Sequence, residues 1–191
     1  RHPLWIHPSD AEALAIEESG LVRISTRIGH FVIVAWRTEG IRPGVVAASH
    51  HMGRWRVDGD QARSWSNGQA RIDRDGTRWR LGREPGAEGM QRWASDDPDT
   101  QRIWWHDTGV HQNLTFAVQP DPISGMHCWH QRVRVEPAQP GDRYGDVVVD
   151  TARSREAYLE WLATTRPAPG PNGLRRPLWY ARPLKPEPAA Y

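Results

Sequence analysis

Cysteine occurs once in the 191 residues, at Cys128, so the chain holds no intrachain disulfide and no cysteine-built zinc or iron–sulfur site of its own. Lysine is nearly absent: all 25 basic residues except Lys185 are arginine. Net charge is small, with 25 basic against 23 acidic residues for a formal +2. That argues against single-stranded nucleic-acid binding, although arginine and tryptophan interleave between Arg54 and Arg80. Long apolar runs are missing too. The longest, Phe31 to Trp36, falls far short of the ~20 residues of a membrane-spanning helix. No HExxH, Gly-x-Ser-x-Gly, P-loop or dinucleotide fingerprint is present. Cys128, between bulky neighbours, reads as an inert buried thiol.

What remains is one domain of generous size, or a small domain with long appendages, with unusual side chains: eleven tryptophans, nine histidines, and planar, forked arginine donors suited to phosphates and carboxylates. The clearest helix start is Pro8-Ser9-Asp10-Ala11-Glu12, where Ser9 can cap and Glu12 can close a capping box. Leu21 to Thr26 alternates as a half-buried strand, and Phe31 to Trp36 is apolar on both faces, with Gly29 marking the turn between them. Val45 to Ala48 predicts a third strand. Gln69–Asp73 and Thr77–Leu81 predict a hairpin across Arg74-Asp75-Gly76, within a looser excursion from about 56 to 98. Strand character returns at Arg102–His106, Leu114–Val118 and Trp129–Val135. A helix is expected over Arg153–Thr164, with Tyr158, Trp161 and Leu162 as its apolar stripe. Beyond Arg166, seven prolines predict an extended tail without regular hydrogen bonding.

Two polar clusters carry the chemistry. The first is His50-His51-Met52-Gly53-Arg54-Trp55, where a glycine lets backbone approach a ligand and His and Arg supply donors for an anion. The second is His111-Gln112-Asn113-Leu114-Thr115, whose Asn113 can both donate to and accept from a nucleobase edge. The histidine pairs lack metal-ligand spacing, so no metal ligand is assigned.

Leu4-Trp5-Ile6-His7-Pro8, Leu21-Val22-Arg23-Ile24, Glu39-Gly40-Ile41-Arg42-Pro43-Gly44-Val45-Val46, Asn113-Leu114-Thr115, Asp121-Pro122 and Val133-Arg134-Val135-Glu136-Pro137 follow one another in a telling order. Together they resemble the C-terminal molybdopterin-dinucleotide-binding domain of the dimethyl sulfoxide reductase family. The resemblance spans roughly Pro3 to Pro137 and leaves the central excursion unmatched. Ala15-Ile16 and Glu18-Ser19-Gly20 depart from the family's Gly-Ile and Asp-Gly-Asp.

The resemblance implies a mainly β fold: a six-stranded, aspartate-decarboxylase-like double-psi β-barrel with short helices, a central insertion and an extended proline-rich C-terminal tail. It implies a barrel over 1–137, with the insertion at about 56–98, and a helix plus wrapping tail over 138–191. It also implies a molybdenum or tungsten ion held by two pterin guanine dinucleotides, shared with an upstream catalytic region that supplies the metal ligand. His50, His51, Met52, Gly53, Arg54 and Trp55 would face one pterin, Asn113 and Thr115 a second cofactor loop, and His130 and Gln131 would complete the wall. His50 or His51 would be a proton partner one shell out from the metal. The expected partners are the catalytic region or subunit and an iron–sulfur electron-transfer subunit, making the chain a fragment or one subunit of a split enzyme. Two other readings stay open: a stand-alone β-barrel interaction module and a His-dependent metal hydrolase.

Overall fold

The computed structural model describes residues 2–50, 56–57, 69–83, 109–120, 126, 130–163, 165–167 and 175–177. The expected strand over Arg102–His106 and the residues His51 to Trp55 lie outside them.

The chain opens with strand β1 (Pro3–Ile6) and helix α1 (Pro8–Ala13). His7, not Ser9, caps that helix: its Nδ1 accepts from the Ser9 amide at 3.2 Å. Pro8, with φ fixed and no N–H to satisfy, is suited to the first helical position, and this moves the cap back two residues, from Ser9 to His7. Strands β2 (Leu21–Ser25) and β3 (Gly29–Arg37) follow as an antiparallel pair, and β4 (Val46–Ala47) is a short remnant of the expected third strand.

Strand β3 organises the sheet. One edge pairs with β2 from His30 to Val34. Its other partners are β9 (Val147–Asp150), antiparallel over Gly29–Phe31, and β1, parallel over Val34–Arg37. A strand with neighbours along both edges must be apolar on both faces, and Phe31 to Ala35 are all buried. Gly29 opens this strand rather than forming a turn. A Cβ there would stand 2.1 Å from the Val148 carbonyl oxygen, so only glycine admits the approach of β9.

The central hairpin, β6 (Gln69–Asp75) and β7 (Arg78–Arg83), turns at Gly76 with φ +58°. It does not stand apart from the main fold, because β7 pairs antiparallel with β9. With β5 (Arg56–Val57) and β8 (Arg134–Pro137), the sheet runs β4-β1-β3-β9-β7-β6-β5, and β2 and β8 branch from β3. The fold is mainly β, as expected, and among the described residues this sheet does not close into a ring.

Leu4, Ile6, Val22, Ile24, Phe31, Ile33, Ala35 and Val147 share the inner face of the sheet and form the main core with Ala11, Ile16 and Val110. Arg23, His30 and Val148 alternate with these residues and so face the other way.

Helix α2 (Thr151–Ala163) starts two residues before the expected Arg153, and its expected stripe holds only in part, with Trp161 and Leu162 half-buried. The buried residue is Ala157, packed with Ile28 and Ala117, whereas Tyr158 and Leu159 are exposed. A small residue lets the helix backbone lie close to the sheet, which turns Tyr158 and Leu159 outward. In the tail, Thr165–Pro167 and Arg175–Pro177 form a two-stranded ladder, β10 and β11, contrary to the expectation of no regular pairing. Each proline sits at a strand end, where a missing N–H costs least.

Candidate functional site

The loop after β2 begins the site. Thr26 Oγ1 accepts from the Ile28 amide at 3.3 Å and donates to the Thr115 carbonyl at 2.5 Å. The β2–β3 turn thereby holds a single 3-10 turn, Gln112–Thr115, where alternation had predicted strand from Leu114. Thr115 is fully buried, and its hydroxyl donates to the Gln112 carbonyl at 2.8 Å, closing that turn from inside.

The 3-10 turn grips the segment after β4. Gln112 Nε2 donates to the carbonyls of Ala48 at 3.3 Å and Ser49 at 3.0 Å, and Asn113 Nδ2 donates to the His50 carbonyl at 3.2 Å. His50, which opens the first polar cluster, is thus held beside the second, 63 residues away in sequence. On the opposite side of β4 the connector is anchored by Asp10, whose carboxylate accepts from the Gly44 amide at 2.6 Å. Gly44 adopts φ +78°, a left-handed conformation that favours glycine.

Between these elements lies a groove of about 570 Å³. Its floor is the core face at Leu4, Ile24 and Phe31; one wall is Gly44–Ala48 with His50, and the others bring Gln112, His130 and Gln131. Gln131 is fixed by its Nε2 donating to the Ala117 carbonyl at 3.3 Å. An apolar floor with a few convergent polar groups is the usual composition of a small-molecule site.

Beside the groove, at the 3-10 turn, lies a polar anomaly. Gln112 Oε1 and Asn113 Oδ1 are buried and find no hydrogen-bond partner among the described residues. Both side-chain amides spend their N–H groups on the loop and are left with carbonyl acceptors. A buried unpaired acceptor costs about 1–3 kcal/mol, so such a pair takes N–H or O–H donors from water or from a bound molecule.

Of the residues singled out in the sequence, His50, His130 and Gln131 line the groove, Asn113 borders it through His50, and Thr115 supports it from within the core. His51, Met52, Gly53, Arg54 and Trp55 lie outside the described residues. Gln112 was not assigned a role from sequence, although its cluster was. In a strand it would face away from Asn113; the 3-10 turn lets both reach the same loop. Among the described residues no three His, Cys, Asp or Glu side chains gather as a metal-ligand group, and no helix is long and apolar enough to cross a membrane.

Comparison with known proteins bears on the first half of this site. Residues 1–71 match the family model of the molydopterin dinucleotide binding domain. The chain is also 34% identical, over 68 residues, to the molybdopterin-containing subunit of an arsenate respiratory reductase from Chrysiogenes arsenatis. That stretch is 36% of this chain and 8% of the relative's length. The match takes in β1 to β4 and His50, and the 3-10 turn and the segment from His130 to Val133 lie beyond it. Over residues 1–71 the chain is thus similar to the molydopterin dinucleotide binding domain, consistent with the dimethyl sulfoxide reductase family domain that its sequence resembles.

Proposed function

We propose that this chain is the cofactor-binding part of a molybdenum or tungsten oxidoreductase, and that the groove between β4 and the 3-10 turn holds part of a pterin guanine dinucleotide. The observation that carries this reading is the pair of buried acceptors, Gln112 Oε1 and Asn113 Oδ1, beside a segment inside the matched family region. Pterin and guanine edges are rich in N–H donors, which is the complement these carbonyls need. The residues fit the group.

In this reading Gln112 and Asn113 do two jobs. Their amide nitrogens fix the 48–50 backbone, and their oxygens receive the ligand's N–H groups. His50, His130 and Gln131 add side-chain donors and acceptors to the wall, and the floor at Leu4, Ile24 and Phe31 excludes water beneath the ring. His51 to Trp55 follow His50 directly in the sequence, and in this reading Gly53 would allow close backbone approach and Arg54 would supply charge for a pyrophosphate. The bound group supplies the redox chemistry, and this chain supplies burial, orientation and hydrogen bonds.

Residues 1–137 carry the cofactor-facing barrel, with the 56–98 insertion, and 138–191 serve as its C-terminal extension. The metal ligand comes from an upstream catalytic region or subunit, and electrons pass through an iron–sulfur partner.

Molybdenum, tungsten and pterin analysis of the intact assembly purified from its native host tests this. The expected result is metal with about two pterin dinucleotides. Stoichiometric zinc without pterin would support the hydrolase reading, and neither cofactor would leave the interaction module.

A further inference from the structure

The short connection between β2 and β3, Thr26-Arg27-Ile28, lines no part of the groove, yet two of the groove's walls are attached to it. On one side, Thr26 Oγ1 donates to the Thr115 carbonyl at 2.5 Å. Thr115 closes the 3-10 turn, and Gln112 and Asn113 of that turn hold the backbone from Ala48 to His50. On the other side, Ile28 packs in a small buried cluster with Ala117. The Ala117 carbonyl accepts from Gln131 Nε2, and Gln131 lines the groove. A shift of these three residues would therefore disturb both Gln112 and Gln131.

The connection is itself fixed from outside the groove. Its ends are joined by the Thr26 amide, which donates to the Gly29 carbonyl at 2.7 Å. The Ile28 carbonyl accepts from the Asp150 amide at 2.8 Å, where β9 ends. Helix α2 packs Ala157 on Ile28 and pairs Glu160 with Arg27. Both β9 and α2 lie beyond the matched residues 1–71.

The Thr26 hydroxyl is the joint between this fixed end and the 3-10 turn. It accepts from the Ile28 amide at 3.3 Å, and its single hydrogen goes to the Thr115 carbonyl at 2.5 Å in preference to the Gly29 carbonyl at 3.3 Å. Accepting on one side and donating on the other through one atom is a property of a hydroxyl. Thr115 is fully buried, so loss of that donor leaves its carbonyl facing the core rather than solvent.

We propose that Thr26 is a positioning residue for the groove: its hydroxyl holds the 3-10 turn where Gln112 Oε1 and Asn113 Oδ1 can receive the ligand, with β9 and α2 supplying the fixed end. This rests on the reading of the groove as a pterin dinucleotide site.

Two variants separate the hydroxyl from the shape of the side chain. Thr26→Val keeps the shape and removes both bonds, and Thr26→Ser keeps the hydroxyl and loses a methyl group. Amide hydrogen exchange of the full chain, read by mass spectrometry over residues 110–118 and over β2 and β3, reports the position of the turn without any cofactor. In Thr26→Val the segment around the 3-10 turn should exchange about tenfold faster, the equivalent of one hydrogen bond, with the strands unchanged. Thr26→Ser should match the wild type. In the intact assembly, pterin content should fall in Thr26→Val and be kept in Thr26→Ser. Unchanged exchange in Thr26→Val overturns the proposal, as does a Thr26→Ser variant that loses protection or pterin equally, because shape would then be what matters. Should Thr26→Val fail to fold, Thr26→Ser alone decides by the same criterion. A wild-type assembly without pterin refutes the reading of the groove; full pterin in both the wild type and Thr26→Val refutes the role of Thr26 alone.

Discussion

Asn113 donates to the backbone carbonyl of His50 at 3.2 Å, so the segment that enters the first polar cluster is held by a side chain of the second. This bond separates two functions within one residue. Asn113→Asp replaces the Nδ2 donor with an oxygen and sets a carboxylate against the His50 carbonyl. Asn113→Leu removes donor and acceptor together. Both variants should reduce pterin content in the intact assembly, with Asp the more damaging because it adds repulsion. Pterin quantification on purified material checks the order; equal content in both variants and the wild type would refute the assigned role.

Gly29→Ala should be severely destabilising. The added methyl would lie 2.1 Å from the Val148 oxygen, and backbone cannot yield as a side-chain tip can. A loss of about 3 kcal/mol is expected, at the upper end for overpacking, because β9 must move off β3. Urea denaturation gives the value directly. An unchanged midpoint would show that β3 and β9 are not paired at this register.

Arg23 and Asp142 pin the loop after β8 to the outer face of the sheet. Burial pushes the Asp142 carboxyl up, but the Arg23 hydrogen bonds and the Gln139 amide hold it below its ordinary value. Its contribution to stability is therefore complete above the unfolded carboxyl pKa, near 4, and is lost as pH falls through the lower folded value. Asp142→Asn should cost about 2 kcal/mol at pH 7 and progressively less as pH falls below 4. Thermal unfolding at both pH values checks the sign.

His30 titrates in a different window. Its pKa is lowered first by burial and then by Arg23. The neutral ring is thus favoured in the fold, and its contribution is present above the unfolded value near 6.5 and lost as pH falls toward the folded one. Proton NMR of the His30 ring should show a midpoint below 6.5, and Arg23→Gln should bring it closer to that value. A midpoint above 6.5 would contradict the charge arrangement on this face.

Local patterns in the sequence located most of the inner sheet. The two-sided apolar run from Phe31 to Ala35 and the alternation of Val22 and Ile24 are consequences of burial, and each is visible within a few residues. What stayed hidden depends on distant partners. Gly29 looks like a turn residue until β9 arrives, and the exposed Tyr158 looks like core until Ala157 is seen against Ile28. Gln112 was hidden by its backbone: alternation predicts strand nearby, and only a 3-10 turn closed by Thr115 aims Gln112 and Asn113 at one loop. The ion pairs of Asp142 and Asp146 join residues 119 and 66 positions apart, which no local motif encodes.

A structure of the cofactor-loaded assembly, determined by electron cryomicroscopy at a resolution that shows ring orientation, is the most direct examination of the groove. It should reveal pterin or guanine nitrogens within hydrogen-bond distance of Gln112 Oε1 and Asn113 Oδ1, above Leu4, Ile24 and Phe31. A dinucleotide bound elsewhere, with both carbonyls still facing protein or water, would contradict it.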